Sequence, residues 1–153
     1  MATLNSAKRN TSGLLEAGYN RTARVLDFVL DLAADATMGT ATDDINLATL
    51  PGGSVVLAVT VQQLEAGTGS GTLVGRVGST TVTGTLGSEA AVGTVAATVP
   101  AAIPLLVPAA GAELNVLGAT AVRTTGKVRV VAVVVEGDRS PRVAEIADRD
   151  TLA

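Results

Sequence analysis

The 153-residue chain has no cysteine, no histidine and no tryptophan, and only one Phe and one Tyr. Without cysteine no disulfide staples the fold, and no thiolate can bind a metal or attack a substrate. Without histidine the commonest general base, metal ligand and near-neutral pH switch are missing. The scarcity of rings removes the stacking platforms of sugar sites and of single-stranded nucleic-acid sites. A core must therefore be built from Val, Leu, Ile and Ala. The longest uncharged stretch, between Glu89 and Glu113, is interrupted by Pro100, Pro104 and Pro108, which break a helix. No membrane partner is expected. The opening "MATLNSAKRN" lacks the apolar run of a signal peptide. The triplets Asn10-Thr11-Ser12 and Asn20-Arg21-Thr22 are therefore read as chance matches to a glycosylation pattern.

What is present is a globular composition, 47% hydrophobic and 16% charged, with 17 Gly. Gly and many Thr point to strands and tight turns. The net charge of −3 is unevenly spread. Residues 1–24 carry four bases and one acid, 25–136 four bases and nine acids, and 137–153 three bases and four acids. The early bases are too sparse for a nucleic-acid site. They suit an acidic protein neighbour.

Three zones follow: a polar arm over 1–22, a body over 23–136 and a charged tail over 137–153 with room for a short helix. In the body, "SVVLAVTVQQLE" (54–65) alternates Val55, Leu57, Val59 and Val61 against Val56, Ala58, Thr60 and Gln62. "GTGSG" then leads to "TLVGRV" (72–77), read as its hairpin partner. "STTVTGTL" (79–86) reads as an edge strand, "VGTVAATV" (92–99) and "AELNVLG" (112–118) as further strands. "KVRVVAVVVEG" (127–137) is apolar on both faces, which suits a central strand or a face covered by a partner subunit. "VLDFVLDLAAD" (25–35) fits a helix with an Asp27, Asp31, Asp35 stripe as well as a strand with Leu26, Phe28, Leu30 and Leu32 on one face. It lacks a capping box and its neighbours are strands, so 23–33 is read as a strand. About eight short strands with Gly and Pro turns make an all-β, jelly-roll-like sandwich the expected fold.

Candidate chemistry is thin. "EAGTGSGT" (65–72) lacks the Lys and the helix of a phosphate loop and reads as a turn. Asp31, Asp35, Asp43 and Asp44 match no calcium-loop spacing and read as solvated acids. Asp27 with Asp31, or Glu65 with Glu89, would need stacking rings nearby to act on a sugar. No catalytic residue, cofactor or metal is expected. Two segments are candidates for contact instead. The Pro-rich stretch "TVPAAIPLLVPAAGAE" must bury Ile103, Leu105, Leu106 and Val107, either over its own sandwich or in a subunit or capsid contact. The arm is either a disordered terminus or a segment that orders on a partner. In that second case Lys8, Arg9, Arg21 and Arg24 supply charge, and Leu14, Leu15 and Tyr19 supply anchors.

Three runs together resemble the small β-sandwich decoration, or cement, proteins of tailed-bacteriophage capsids. They are "GYNRTARVLDFVLDLAAD", "DDINLATLPGGSVVLAVTVQQLEAGTGSGTLVGRVG" and "AELNVLGATAVRTTGKVRVVAVVVE". The resemblance covers most of residues 18–136. It implies a jelly-roll-like domain on the outside of a viral head, often a trimer, with the major capsid protein and its own copies as partners. A tail- or fibre-associated virion component and a carbohydrate-binding module remain the alternatives, and the lack of rings weighs against the last.

Overall fold

The computed structural model describes residues 23–34, 43–119 and 123–136. The arm and the tail lie outside the described residues, so their expected boundaries have no structural counterpart here. Among the described residues ten strands form in chain order: β1 Ala23–Asp31, β2 Asp44–Leu50, β3 Val55–Glu65, β4 Thr72–Val77, β5 Thr80–Thr81, β6 Leu86–Gly87, β7 Val95–Ala96, β8 Leu105–Leu106, β9 Ala112–Ala119 and β10 Lys127–Val135. They make two sheets, β1-β10-β3 with β7 and β8 beyond β3, and β2-β9-β4 with β5 and β6 beyond β4. Every pairing is antiparallel. The short pairs β5/β6 and β7/β8 each fill one edge position, so the chain wraps eight positions between two sheets as a jelly roll does.

Alternation explains the long strands. On β10, Val128, Val130, Ala132 and Val134 are buried, and β1 and β3 flank it, so it is the central strand its two apolar faces require. The 25–35 stretch is a strand through Asp31: Leu30 and Leu32 enter the core while Val25 and Val29 face out. Asp35 lies outside the described residues. On β3 strict alternation fails. Ala58 pairs with Val133 and Val56 with Val134, leaving Leu57 without a partner in a bulge. Val56, Val59 and Val61 are therefore buried and Leu57 is exposed.

The expected hairpin between 54–65 and 72–77 does not form. β4 pairs with β9, β5 and β6, in the opposite sheet from β3. The Gly/Ser run turns a corner between sheets, a distance of about 10 Å that a two-strand turn does not cover. The expected strand over 79–86 is also broken, because only Thr80–Thr81 and Leu86–Gly87 pair with β4.

One side of the sandwich is sewn shut at these breaks. Between β7 and β8, the Thr98 hydroxyl accepts from Val59 N at 3.0 Å and donates to Val59 O at 2.7 Å. Between β5 and β6, Thr83 Oγ1 accepts from Gly75 N at 2.7 Å. Thr83 and Thr98 then form a bridge to each other, flanked by Gly84 N to Ala97 O at 2.9 Å and Val99 N to Val82 O at 2.8 Å. Gly75 is required there, since a Cβ would stand 2.8 Å from Thr83 Cγ2.

The end of the sandwich where β3 finishes is held by a buried polar cluster. Arg123 is fully buried and donates to Gln63 Oε1 at 2.8 Å. Burial without a neighbouring acid among the described residues pulls its pKa down to about 10. Gly126, at φ 95°, lies against the backbone of Glu65 and Gly67, where a Cβ would come within 2.9 Å.

Replacing Thr98 by Val should destabilise the protein by about 1–3 kcal/mol, because both polar backbone groups of Val59 lose their partner. Leu114→Ala, in the core, should cost about 2–5 kcal/mol. Urea unfolding followed by circular dichroism measures both.

Candidate interaction surface

Ala23 pairs with Val135, so the arm and the tail join the body at the same end. Arg24 and Glu136 form an ion pair there. Beside it a groove of about 260 Å³ opens between the β1 and β2 edges of the two sheets, lined by Arg24, Leu26, Ala48, Thr49, Leu50, Pro51, Val134 and Glu136. None of these residues is aromatic, so the groove offers no ring on which a sugar could stack.

The outer face of the β1-β10-β3 sheet is divided along its length. Near the arm it is apolar, with Val25 and Leu106 each 66% exposed and Leu57 in its bulge. Val133 and Val55 lie between them, paired to Val25 and Leu106 respectively. Towards the other end the same face carries ion pairs on either side of Val29, which is also exposed. Arg129 donates to Asp27 through Nε at 2.9 Å and also through Nη2. Lys127 lies 3.2 Å from Glu65 and 3.5 Å from Asp31. Across the other sheet Asn46 lies opposite Asn115, which is buried, and Asn115 opposite Arg76.

Of the candidate acids, Asp27, Asp31 and Glu65 are engaged in these ion pairs. Hydrogen bonding to Arg129 holds the Asp27 carboxyl below the usual carboxylate range. The Ala33 and Ala34 amides and Lys127 do the same for Asp31. Asp44 accepts from Asn115 at 3.4 Å. Among the described residues no three acidic side chains gather as metal ligands.

The structure separates the expected contact residues. Lys8, Arg9, Leu14, Leu15, Tyr19 and Arg21 lie outside the described residues. Arg24 lines the groove and is engaged by Glu136. Of the Pro-rich four, Val107 is 1% exposed, and its amide and carbonyl bond to Ser54 O and Gly53 N. Its side chain serves the chain's own core and presents nothing to a partner. Ile103 and Leu105 pack half-buried against that core. Leu106 alone points outward, because it alternates with Leu105 along β8. Sequence reasoning did not single out Val25 or Leu57. The double apolar face of β10 was the signal that pointed to the surface they belong to.

No protein-family model and no curated protein matches the chain. Solved structures do. The chain is similar to one in the cyanophage Pam1 capsid asymmetric unit, with a TM-score of 0.50 and 20% identity over 74% of this chain and 84% of that one. It is also similar to one in the capsid of Ralstonia phage GP4, with a TM-score of 0.47 and 21% identity over 77% and 85%. The EclA C-terminal domain, a sugar-binding protein, scores 0.42 with 12% identity over 73% and 78%. The first likeness is one of fold. It bears out the two-sheet sandwich.

The ion pairs set the pH response. Ionised Asp27 and Asp31 favour the folded state, fully above the ordinary carboxylate range and less as pH falls through their lowered values. Lys127 is raised by Glu65 and Asp31, and Arg129 by Asp27, so their contribution lasts until pH climbs past the ordinary lysine range. The melting temperature should be flat from about pH 5 to about pH 9 and drop below about pH 4. Asp27→Asn should shrink the acid-side drop. Melting curves across pH check this.

Proposed function

We propose that this protein is a structural component of a tailed-phage virion, a decoration protein on the outer surface of the capsid. The observation that supports this most is the jelly-roll fold shared, over 74% of the chain, with a chain of a cyanophage capsid. The chemistry of the chain fits a non-catalytic role. It has no His and no Cys, and the outward acids of the first sheet are tied to Arg129 and Lys127.

In this reading the protein acts by binding. Contacts available only on the assembled shell favour the assembled state by mass action. The arm supplies the reach. Lys8, Arg9 and Arg21 complement acidic patches of the major capsid protein, and Leu14, Leu15 and Tyr19 provide apolar anchors. Arg24 keeps the base of the arm on the body through Glu136. Copies of the protein associate with one another, with a trimer favoured.

Removal of residues 1–22 should weaken binding to undecorated shells of the cognate major capsid protein at least about tenfold, while the melting temperature of the body stays unchanged. Co-sedimentation with shells measures the first and circular dichroism the second. Equal binding with and without the arm would sink the arm's role.

A further inference from the structure

We infer that the exposed apolar patch on the outer β1-β10-β3 face is covered by the chain's own tail, docked as a short amphipathic helix over residues 141–149. The patch takes in Val25, Val133, Val135, Val55, Leu57 and Leu106. Val25 and Leu106 are each 66% exposed, and apolar area gathered in one place on a sheet face is normally buried.

Position, sequence, size and charge each point to the tail. It leaves from the patch itself: Val135 belongs to the patch, and 17 residues of sequence follow Glu136. Gly137, Asp138 and Arg139 allow a reversal and, fully extended, span about 10 Å, roughly one helix diameter. Ser140 then stands as an N-cap with Pro141 in the first helical position. After them Val143, Ala144, Ile146 and Ala147 repeat at the spacing of one helix face, with Arg142, Glu145, Asp148 and Arg149 off it. The arm also starts beside the patch, but Gly13 and Gly18 bracket its Leu14 and Leu15 and disfavour a helix there. A helix over 141–149 is about 14 Å long. The patch runs from β1 across β10 and β3 to β8, three spacings of about 4.8 Å, or about 14 Å. Beyond the patch the face carries Asp27, Asp31 and Glu65 against Lys127 and Arg129, one acid in surplus. Arg142 and Arg149, seven residues apart, share one flank of the helix, and turned towards those pairs they supply the missing base.

The test uses the full-length protein, free in solution. The chain has no cysteine, so an introduced pair is read without background. Leu57→Cys with Ile146→Cys should close a disulfide within one chain at least about tenfold faster than Val92→Cys with Ile146→Cys, because docking raises the local concentration at one place only. Val92 is 67% exposed and lies outside the paired strands. Non-reducing electrophoresis and peptide mass spectrometry of dilute samples read the bond. In the otherwise unaltered chain Ile146→Asp should lower the melting temperature by at least about 2 °C, and Glu145→Gln, off the apolar face, should leave it unchanged. Equal rates for the two cysteine pairs overturn the inference. So does a melting temperature that Ile146→Asp leaves unchanged. Disulfides formed between chains rather than within one would assign the patch to a second copy and also overturn it. No shell is present in either measurement, so the outcome is independent of the capsid reading.

Discussion

The closed side of the sandwich depends on two threonines. β3 and β4 each need a partner along their outer edge, and neither has a full-length one. Each edge is completed in pieces, by two strands of two residues with a threonine hydroxyl between them. The Thr83–Thr98 bridge then ties the two sheets together. An unpaired backbone group buried at such a seam costs about 1–3 kcal/mol, so these hydroxyls allow the β5–β8 segments to be irregular without leaving the core open. The core behind them is entirely aliphatic: Leu73, Leu86, Leu114, Val59, Val82 and Val130 are fully buried.

On the opposite side the described residues place no strand beyond β1 and β2. Among the described residues β1 pairs only with β10, and β2 only with β9. Asp27 and Asp31 on β1 place charge along that exposed edge, which discourages unspecific strand addition. The groove, the Arg24–Glu136 pair and the apolar half of the outer face gather where the arm and tail attach. The other end is polar and tightly tied, through Arg123, Gln63 and the close backbone contact at Gly126.

Much of this was legible in the sequence because local pattern and burial agree. β10 and β1 show their inner faces as plain alternation, and the number of strand positions follows from the turn residues. What was not legible depends on partners distant in the chain. The bulge at Leu57 exists only against Val133 and Val134. The Gly/Ser run after β3 looks the same whether it closes a hairpin or crosses between sheets. The Pro-rich segment had two possible fates, and both occur: Val107 enters the core while Leu106, one residue earlier, faces out. The exposed apolar patch was visible only as the unusual double apolar face of β10. Its exposed members Val25 and Leu57 needed the sheet order to be recognised.

The central claim is that this chain is a regular component of a viral shell. Its most direct test is the copy number of the protein relative to the major capsid protein in purified particles of the phage that encodes it, by quantitative mass spectrometry. A simple ratio to the capsid subunit, with copies enough to cover the shell, is the result this account predicts. A handful of copies per particle, or none, would contradict it.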